Sequence, residues 1–281
     1  MGRSEELILE DMRRITDIEE LKKIQLDILL EVHSFCMNKG IRYSLDSGTL
    51  IGAIRHKGYI PWDDDIDIIM PRPDYNQFLK EFNGSVSHLE VYAPELDWSY
   101  YAPYANVCDK RTILSEGLNG HRGKEMGIKI DIFPVDGTSL EYKEYERSLK
   151  RIDKLNAYLY VKRTSFKESN MNSLRAVMYI IKMRLFSLFK TYSSIQKQIA
   201  KISTEFDFNE SEYAAKLSYT WTKNRCKRTV FENYMNSEFE GHQLMILKGY
   251  DEYLRKMYGD YMQLPPEEQR VAHHGFVAYW K

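Results

Sequence analysis

Ser44-Leu45-Asp46-Ser47-Gly48-Thr49-Leu50-Ile51-Gly52-Ala53-Ile54-Arg55-His56-Lys57-Gly58-Tyr59-Ile60-Pro61-Trp62-Asp63-Asp64-Asp65-Ile66-Asp67-Ile68-Ile69-Met70 is the stretch from which the rest of the chain is read. It contains a glycine-bearing turn, a short helix, a basic loop and a strand with carboxylates along one face. Strand side chains alternate between faces, so Ile66 and Ile68 point one way and Asp65 and Asp67 the other, about 7 Å apart by two rises. Two carboxylates at that spacing repel by roughly 2 kcal/mol at an effective dielectric near 20. A half-buried strand tolerates that repulsion better with a cation between them. Hard oxygen ligands suit Mg²⁺, with Mn²⁺ as the alternative.

Working outward, Thr16-Asp17-Ile18-Glu19 is a capping box opening a helix over 16–39, with Gly40 as its C-cap. Ile18, Leu21, Ile28, Leu29, Val32, Phe35 and Cys36 lie close to one stripe at helical spacing. Ile41–Leu45 reads as a strand, Thr49–Arg55 as a short helix, Asp65–Met70 as a strand ended by Pro71 and Pro73, and Asp74–Phe82 as a helix. Short strands follow at Leu89–Tyr92, Tyr104–Cys108 and Thr112–Leu114. Gly117, Gly120, Gly123 and Gly127 mark a loop. Ile128–Pro134 alternates again, with Lys129 and Asp131 opposite its isoleucines, and Asp136 reads as a turn residue. From 139 to about 206 the period is helical. Lys227–Phe231 and Gln243–Leu247 are candidate strands, and Tyr250–Tyr258 is a helix stopped by Gly259. The chain therefore divides into a core with an N-terminal helix (1–138) and a mainly helical region whose C-terminal elements pack back on it (139–281).

Five groups of residues carry the chemistry. The turn at Gly48 and Gly52 offers backbone N–H groups to a phosphate, and Asp65 and Asp67 hold a metal opposite it. That arrangement serves phosphoryl or nucleotidyl transfer; a solvated acidic edge strand is the competing reading. Asp131 is a third carboxylate, a metal ligand or the group that takes the acceptor's proton. Arg55, His56 and Lys57 are cations placed to bind a diphosphate or to neutralise a leaving group, or else a basic loop balancing the aspartates. Trp98, Tyr100, Tyr101 and Tyr104 form either an aromatic box for a quaternary ammonium or ordinary packing. Residues 172–190 combine helical apolar spacing with Arg175, Lys182, Arg184 and Lys190 and no acid. They read as a peripheral membrane helix or as a helix facing the core.

Composition narrows the classes. Among 281 residues, 40 cations nearly balance 41 acids, so nothing global points to nucleic acid. The cysteines, Cys36, Cys108 and Cys226, are scattered and form no CxxC framework, which suits a reducing compartment. There is no signal core and no long apolar run, which suits a cytoplasmic protein, peripheral to the inner face of a membrane if 172–190 touches one. The histidines show no HExxH spacing, and His273-His274 reads as tail rather than ligand pair. GxSxG, Walker A and GxGxxG are not found.

Asp46–Gly58 together with Trp62–Asp67 closely resembles the signature of the LicD family, which includes bacterial phosphocholine transferases and is distantly related to fukutin-type phosphosugar-alcohol transferases. Ile130–Asp136 and Tyr250–Tyr261, followed by Pro265-Pro266, resemble further stretches of that family. The resemblance spans about residues 17–275. It implies an α+β, nucleotidyltransferase-like mixed β-sheet core flanked by helices, with a helical addition after 139. It implies transfer of a phospho-alcohol group, phosphocholine first, from a CDP-linked donor to a hydroxyl of a surface glycan or lipid-linked glycan, releasing CMP with Mg²⁺. By position, Asp65 and Asp67 match the paired metal carboxylates, Gly48 and Thr49 the phosphate turn, and Asp131 the third carboxylate. Asp63 shares the alternation and is a further candidate ligand. CDP-ethanolamine, CDP-glycerol, CDP-ribitol or a phosphonate analogue would use the same chemistry. Nucleotidyl transfer with pyrophosphate as product and a non-catalytic nucleotide-binding module are the remaining alternatives.

Overall fold

The computed structural model describes residues 12–115, 126–163, 174–218, 224–271 and 277–281. The glycines at 117, 120 and 123, the pair His273-His274 and the charged N-terminus lie outside the described residues. The architecture is mixed α/β, with seven helices among the described residues arranged around a mixed sheet.

Strand β1 (Arg13–Ile15) leads into helix α1 (Ile18–Lys39). Its cap is Asp17, whose carboxylate accepts the Glu19 N–H at 3.0 Å, and it ends at Gly40 in the left-handed region. Leu21, Ile28, Leu29, Val32 and Cys36 are fully buried along one stripe, whereas Ile18 and Phe35 are only partly covered. Next come β2 (Ser44–Leu45), α2 (Ser47–Arg55), β3 (Asp67–Pro71) and α3 (Arg72–Glu81). The expected strand over 41–45 shortens to two residues. Pro71 closes β3 and Pro73 falls in the first turn of α3, where its missing N–H costs nothing.

The sheet is completed by β4 (Leu89–Tyr92), β5 (Ala105–Asp109) and β7 (Lys129–Thr138), with β6 (Thr112–Ser115) in a separate small sheet. The order is β2-β3-β7-β5-β4; β3 and β7 run parallel and the other neighbours antiparallel. Strand β7 is longer than its alternation suggested, because it continues through Pro134. The Asp131 N–H donates to the Ile66 carbonyl on the β3 side. By alternation, Pro134 turns its nitrogen to the other edge. There β5 has ended opposite Ile132 and β8 (Tyr213–Ala215) begins opposite Asp136. A proline is tolerated at that gap because no ladder bond is lost. Asp136 is therefore not a turn residue. It lies buried in β7 and pairs with the Arg72 guanidinium at 2.6 Å, beside Glu95.

Helices α4 (Tyr142–Arg163), α5 (Leu174–Ser187) and α6 (Tyr192–Ser203) share a second apolar cluster, built from Leu149, Ile152, Leu159, Ile180, Met183, Ile195 and Ile199. Strand β9 (Cys226–Lys227) pairs with β8. A 3₁₀ turn (Arg228–Phe231) takes the place of the strand expected over 227–231. Strands β10 (Tyr234–Phe239) and β11 (His242–Leu247) form a hairpin against α2 and β2. Helix α7 (Tyr250–Tyr258) follows, and β12 (Val277–Trp280) closes between β1 and β6.

One close approach locks the quoted stretch. A Cβ on Gly52 would meet the Gly58 carbonyl oxygen at 2.4 Å, so the basic loop lies directly on α2. Gly52→Ala should therefore cost about 1–3 kcal/mol by overpacking. The check is urea unfolding; a melt unchanged from the parent would mean that the loop is free to move away.

Candidate active site

The site begins with Asp46. It stands at the N-cap position of α2, yet its carboxylate makes no capping bond to the helix amides. It is instead fully buried against the Lys216 ammonium at 2.5 Å and the Tyr253 hydroxyl, which donates to it at 2.8 Å. Ser47 follows with φ +50, a left-handed conformation that costs a serine roughly 1 kcal/mol. Its hydroxyl donates to Asp46 and lies 3.2 Å from the Lys216 ammonium, so the turn is held from both sides. The Leu50 N–H returns to the Asp46 carbonyl, so the amides of Ser47, Gly48 and Thr49 precede the first bonded turn of the helix. Such a start attracts an anion by its N–H groups and its dipole.

Two bonds join this turn to the acidic strand. The Asp46 N–H donates to the Asp67 carbonyl, and the Asp67 N–H donates to the Thr49 hydroxyl oxygen, each at 2.9 Å. The hydroxyl hydrogen of Thr49 then points away from Asp67. The carboxylate of Asp63 covers Gly48 so closely that a Cβ there would meet it at 2.3 Å. Asp63, Asp65 and Asp67 are half-buried, while Ile66 and Ile68 are fully buried, as the alternation of faces requires. The regular strand starts only at Asp67, two residues later than expected.

Register supplies what spacing alone could not. Asp67 is paired with Asp131 on the parallel neighbour, and Asp131 with Asn106 on the next strand. The three side chains form one row across β3, β7 and β5, with neighbouring strands about 4.8 Å apart. Burial, and then the charges of Asp65 and Asp131, push the Asp67 carboxyl well above the usual carboxylate range, and Lys216 partly opposes them. Asp131 is held by the Asn106 amide, which donates to it, and by Lys129 at 3.2 Å.

The donor set fits a divalent cation in chemistry. Asp65 and Asp67 present hard oxygens on one face, and positive charge there would relieve the repulsion that raises Asp67. Among the described residues, however, no three acidic, histidine or cysteine side chains stand in a ready-made metal cluster. Asp131 is turned to Asn106 and Lys129, which suits it better to orienting a nucleophile than to completing a cage.

Three of the four aromatic candidates gather here. The Tyr100 and Tyr101 hydroxyls both reach Asn106. Tyr104 packs on Phe133 with ring centres 4.3 Å apart, and its hydroxyl is pushed up by burial and then by Asp131. Trp98 stands apart, with the Lys197 ammonium 5.8 Å from its ring centre. Arg55 donates to the Tyr261 carbonyl at 2.7 Å, so a donor contact would have to use its other N–H groups. His56 accepts from Arg55 and packs edge-on to Trp62. Lys57 is exposed at φ +60, on a loop whose carbonyl accepts the Glu240 N–H.

Asp46, Asn106, Lys216 and Tyr258 are the residues that sequence reading missed. The Tyr258 hydroxyl bonds Ser47 and is pushed up by burial, then by Asp46 and by Asp67 and Asp63. Asp46 and Tyr258 lay inside the stretches already singled out, but Lys216 sits between Ala215 and Leu217 with no motif around it. Replacing Asn106 by alanine should free Asp131 to swing toward Lys129 and lower kcat about a hundredfold, the usual consequence of a misplaced reacting group. KM for the nucleotide donor should change little. A kcat within twofold of the parent would mean that the amide does not position Asp131.

The chain is similar to one family model and to proteins of bacteria. The family model described as LicD/FKTN/FKRP, nucleotidyltransferase domain, matches residues 40–183. The lipopolysaccharide cholinephosphotransferase LicD of Haemophilus influenzae is 32% identical over 275 residues, covering 95% of this chain and 99% of that protein. An uncharacterized protein of Rickettsia typhi is 35% identical over 126 residues, covering 42% of this chain and 37% of its own length.

Proposed function

This chain belongs to the LicD family, and from that premise we propose that it is a phosphotransferase that moves phosphocholine from CDP-choline to a hydroxyl of a cell-surface glycan, releasing CMP. The observation that carries the reading is the row Asp67–Asp131 beside the start of α2, joined to it by one backbone bond and by the bond from the Asp67 N–H to the Thr49 hydroxyl. A nucleotidyltransferase-like description of the sheet belongs to the same proposal.

In this reading the amides of Ser47, Gly48 and Thr49, with the Thr49 hydroxyl, receive the donor diphosphate. Asp65 and Asp67 would hold Mg²⁺, with Asp63 as a further oxygen ligand over Gly48. The ion, when bound, neutralises diphosphate charge and polarises the phosphorus that is attacked. Asp131, steadied by Asn106 and Lys129, accepts a hydrogen bond from the acceptor hydroxyl and takes its proton as the bond to phosphorus forms. Lys57, itself exposed, would neutralise charge on the departing CMP. Tyr100, Tyr101 and Tyr104, next to Asp131, offer aromatic faces to the trimethylammonium group. Lipid-linked glycans are the acceptors that would bring such an enzyme to the inner face of a membrane.

Thermal-shift ranking of CDP-alcohols tests the donor, because a ligand stabilises the state that binds it. CDP-choline with Mg²⁺ should raise the melting temperature more than CDP-ethanolamine, CDP-glycerol or CDP-ribitol. A larger shift with CDP-glycerol or CDP-ribitol would move the assignment to a polyol phosphate and remove the aromatic box from the account.

A further inference from the structure

Helix α5 buries only a narrow stripe. Ile180, Met183 and Ser187, spaced i, i+3 and i+7, are buried, and the first two join the cluster shared with α4 and α6. The opposite side is apolar and faces solvent. Met178, Tyr179, Ile181, Leu185 and Phe186 are all substantially exposed, and the turn after the helix carries Leu188 and Phe189, the latter 94% exposed. An apolar surface of this kind, contiguous over three turns, marks an interaction site rather than ordinary surface.

Charge identifies the partner. From Leu174 to Ser203, through α5 and α6, the chain carries six cations (Arg175, Lys182, Arg184, Lys190, Lys197 and Lys201) and no acid, in a protein where 41 acids outnumber 40 cations. Lys182 lies within the exposed apolar face and Lys190 at its end. Long lysine stems can lie along an apolar layer while the ammonium reaches headgroups. A twofold contact with a second copy would instead set this acid-free segment against itself, and like charges would oppose it. We propose that α5 and the Leu188-Phe189 turn dock this protein on an anionic phospholipid surface, apolar side chains in the acyl boundary and lysines among the headgroups. Among the described residues no helix is long and apolar enough to cross a membrane, so the contact is interfacial.

The test uses the full chain and two sets of vesicles, phosphatidylcholine alone and phosphatidylcholine mixed with phosphatidylglycerol. Flotation should show at least about tenfold tighter binding to the anionic vesicles, weakened by salt. The triple variant Leu185→Glu/Phe186→Glu/Phe189→Glu should lose that binding about tenfold or more while keeping the parent melting temperature, because all three side chains are already exposed. Its transfer to a water-soluble acceptor should equal the parent's, which separates this docking from the catalytic reading. The proposal is overturned if the parent does not float with anionic vesicles, if the variant floats equally well, or if the parent is a dimer that the variant splits without any vesicle binding.

Discussion

Asp67→Asn should abolish transfer while leaving the protein at least as stable as the parent. The loss expected is roughly a thousandfold or more in kcat, the scale seen when one preorganised electrostatic group is removed from a reacting centre. Stability should go the other way. The half-buried Asp67 carboxyl stands beside Asp65 and Asp131, and both its withdrawal from water and those charges disfavour its ionised form. A neutral side chain of the same shape removes the repulsion and keeps the backbone bond from Asp67 N–H to Thr49. Function and stability therefore oppose each other at this position, as they do where a strained group is kept for its chemistry. Paired kinetic and thermal-melt measurements check this. A variant that melts lower and loses activity only in proportion would make Asp67 a structural residue.

Lys216→Met should cost about 3–5 kcal/mol, because it leaves the Asp46 carboxylate buried without its cation. Lysine and aspartate are 2% and 0% exposed, and the remaining partners of Asp46, the Tyr253 and Ser47 hydroxyls, are neutral. The double variant Asp46→Asn/Lys216→Met should recover much of that loss, since nothing charged is then stranded. Activity should fall in both, because Lys216 also supports the left-handed Ser47 at the start of α2, where the proposed donor diphosphate sits. Urea unfolding of the two single variants and the double variant measures the coupling. Strict additivity would mean that the pair is not interacting as the geometry indicates.

What could be read in advance was what alternation and local turn chemistry control. Asp65 and Asp67 on one face, the helix closing at Gly40, the strands at 89–92 and 243–247 and the helical stretch after 139 all follow from residues near one another in the chain. Asp131 was visible because a second alternating strand repeats the same pattern. What was hidden depends on which strands become neighbours. No local signal shows that Asn106 will stand beside Asp131, or that Lys216 will return to Asp46 across 170 residues. Arg55 reads as a phosphate ligand, and nothing local announces its bond to a carbonyl 206 residues away. Asp136 reads as a turn residue, whereas β7 continues through it because Pro134 falls at the gap between β5 and β8. Within 172–190, the side chains described from Val177 on divide two ways, one stripe to the core and the other to solvent, which a single amphipathic pattern could not announce.

The most direct test of the central claim is product analysis. CDP-choline, Mg²⁺ and a glycan acceptor are incubated with the enzyme and resolved by phosphorus NMR. The account predicts CMP and a glycan phosphodiester bearing choline, formed in equal amounts and lost with Asp67→Asn. Pyrophosphate among the products, or CMP release unaffected by Asp67→Asn, would contradict it.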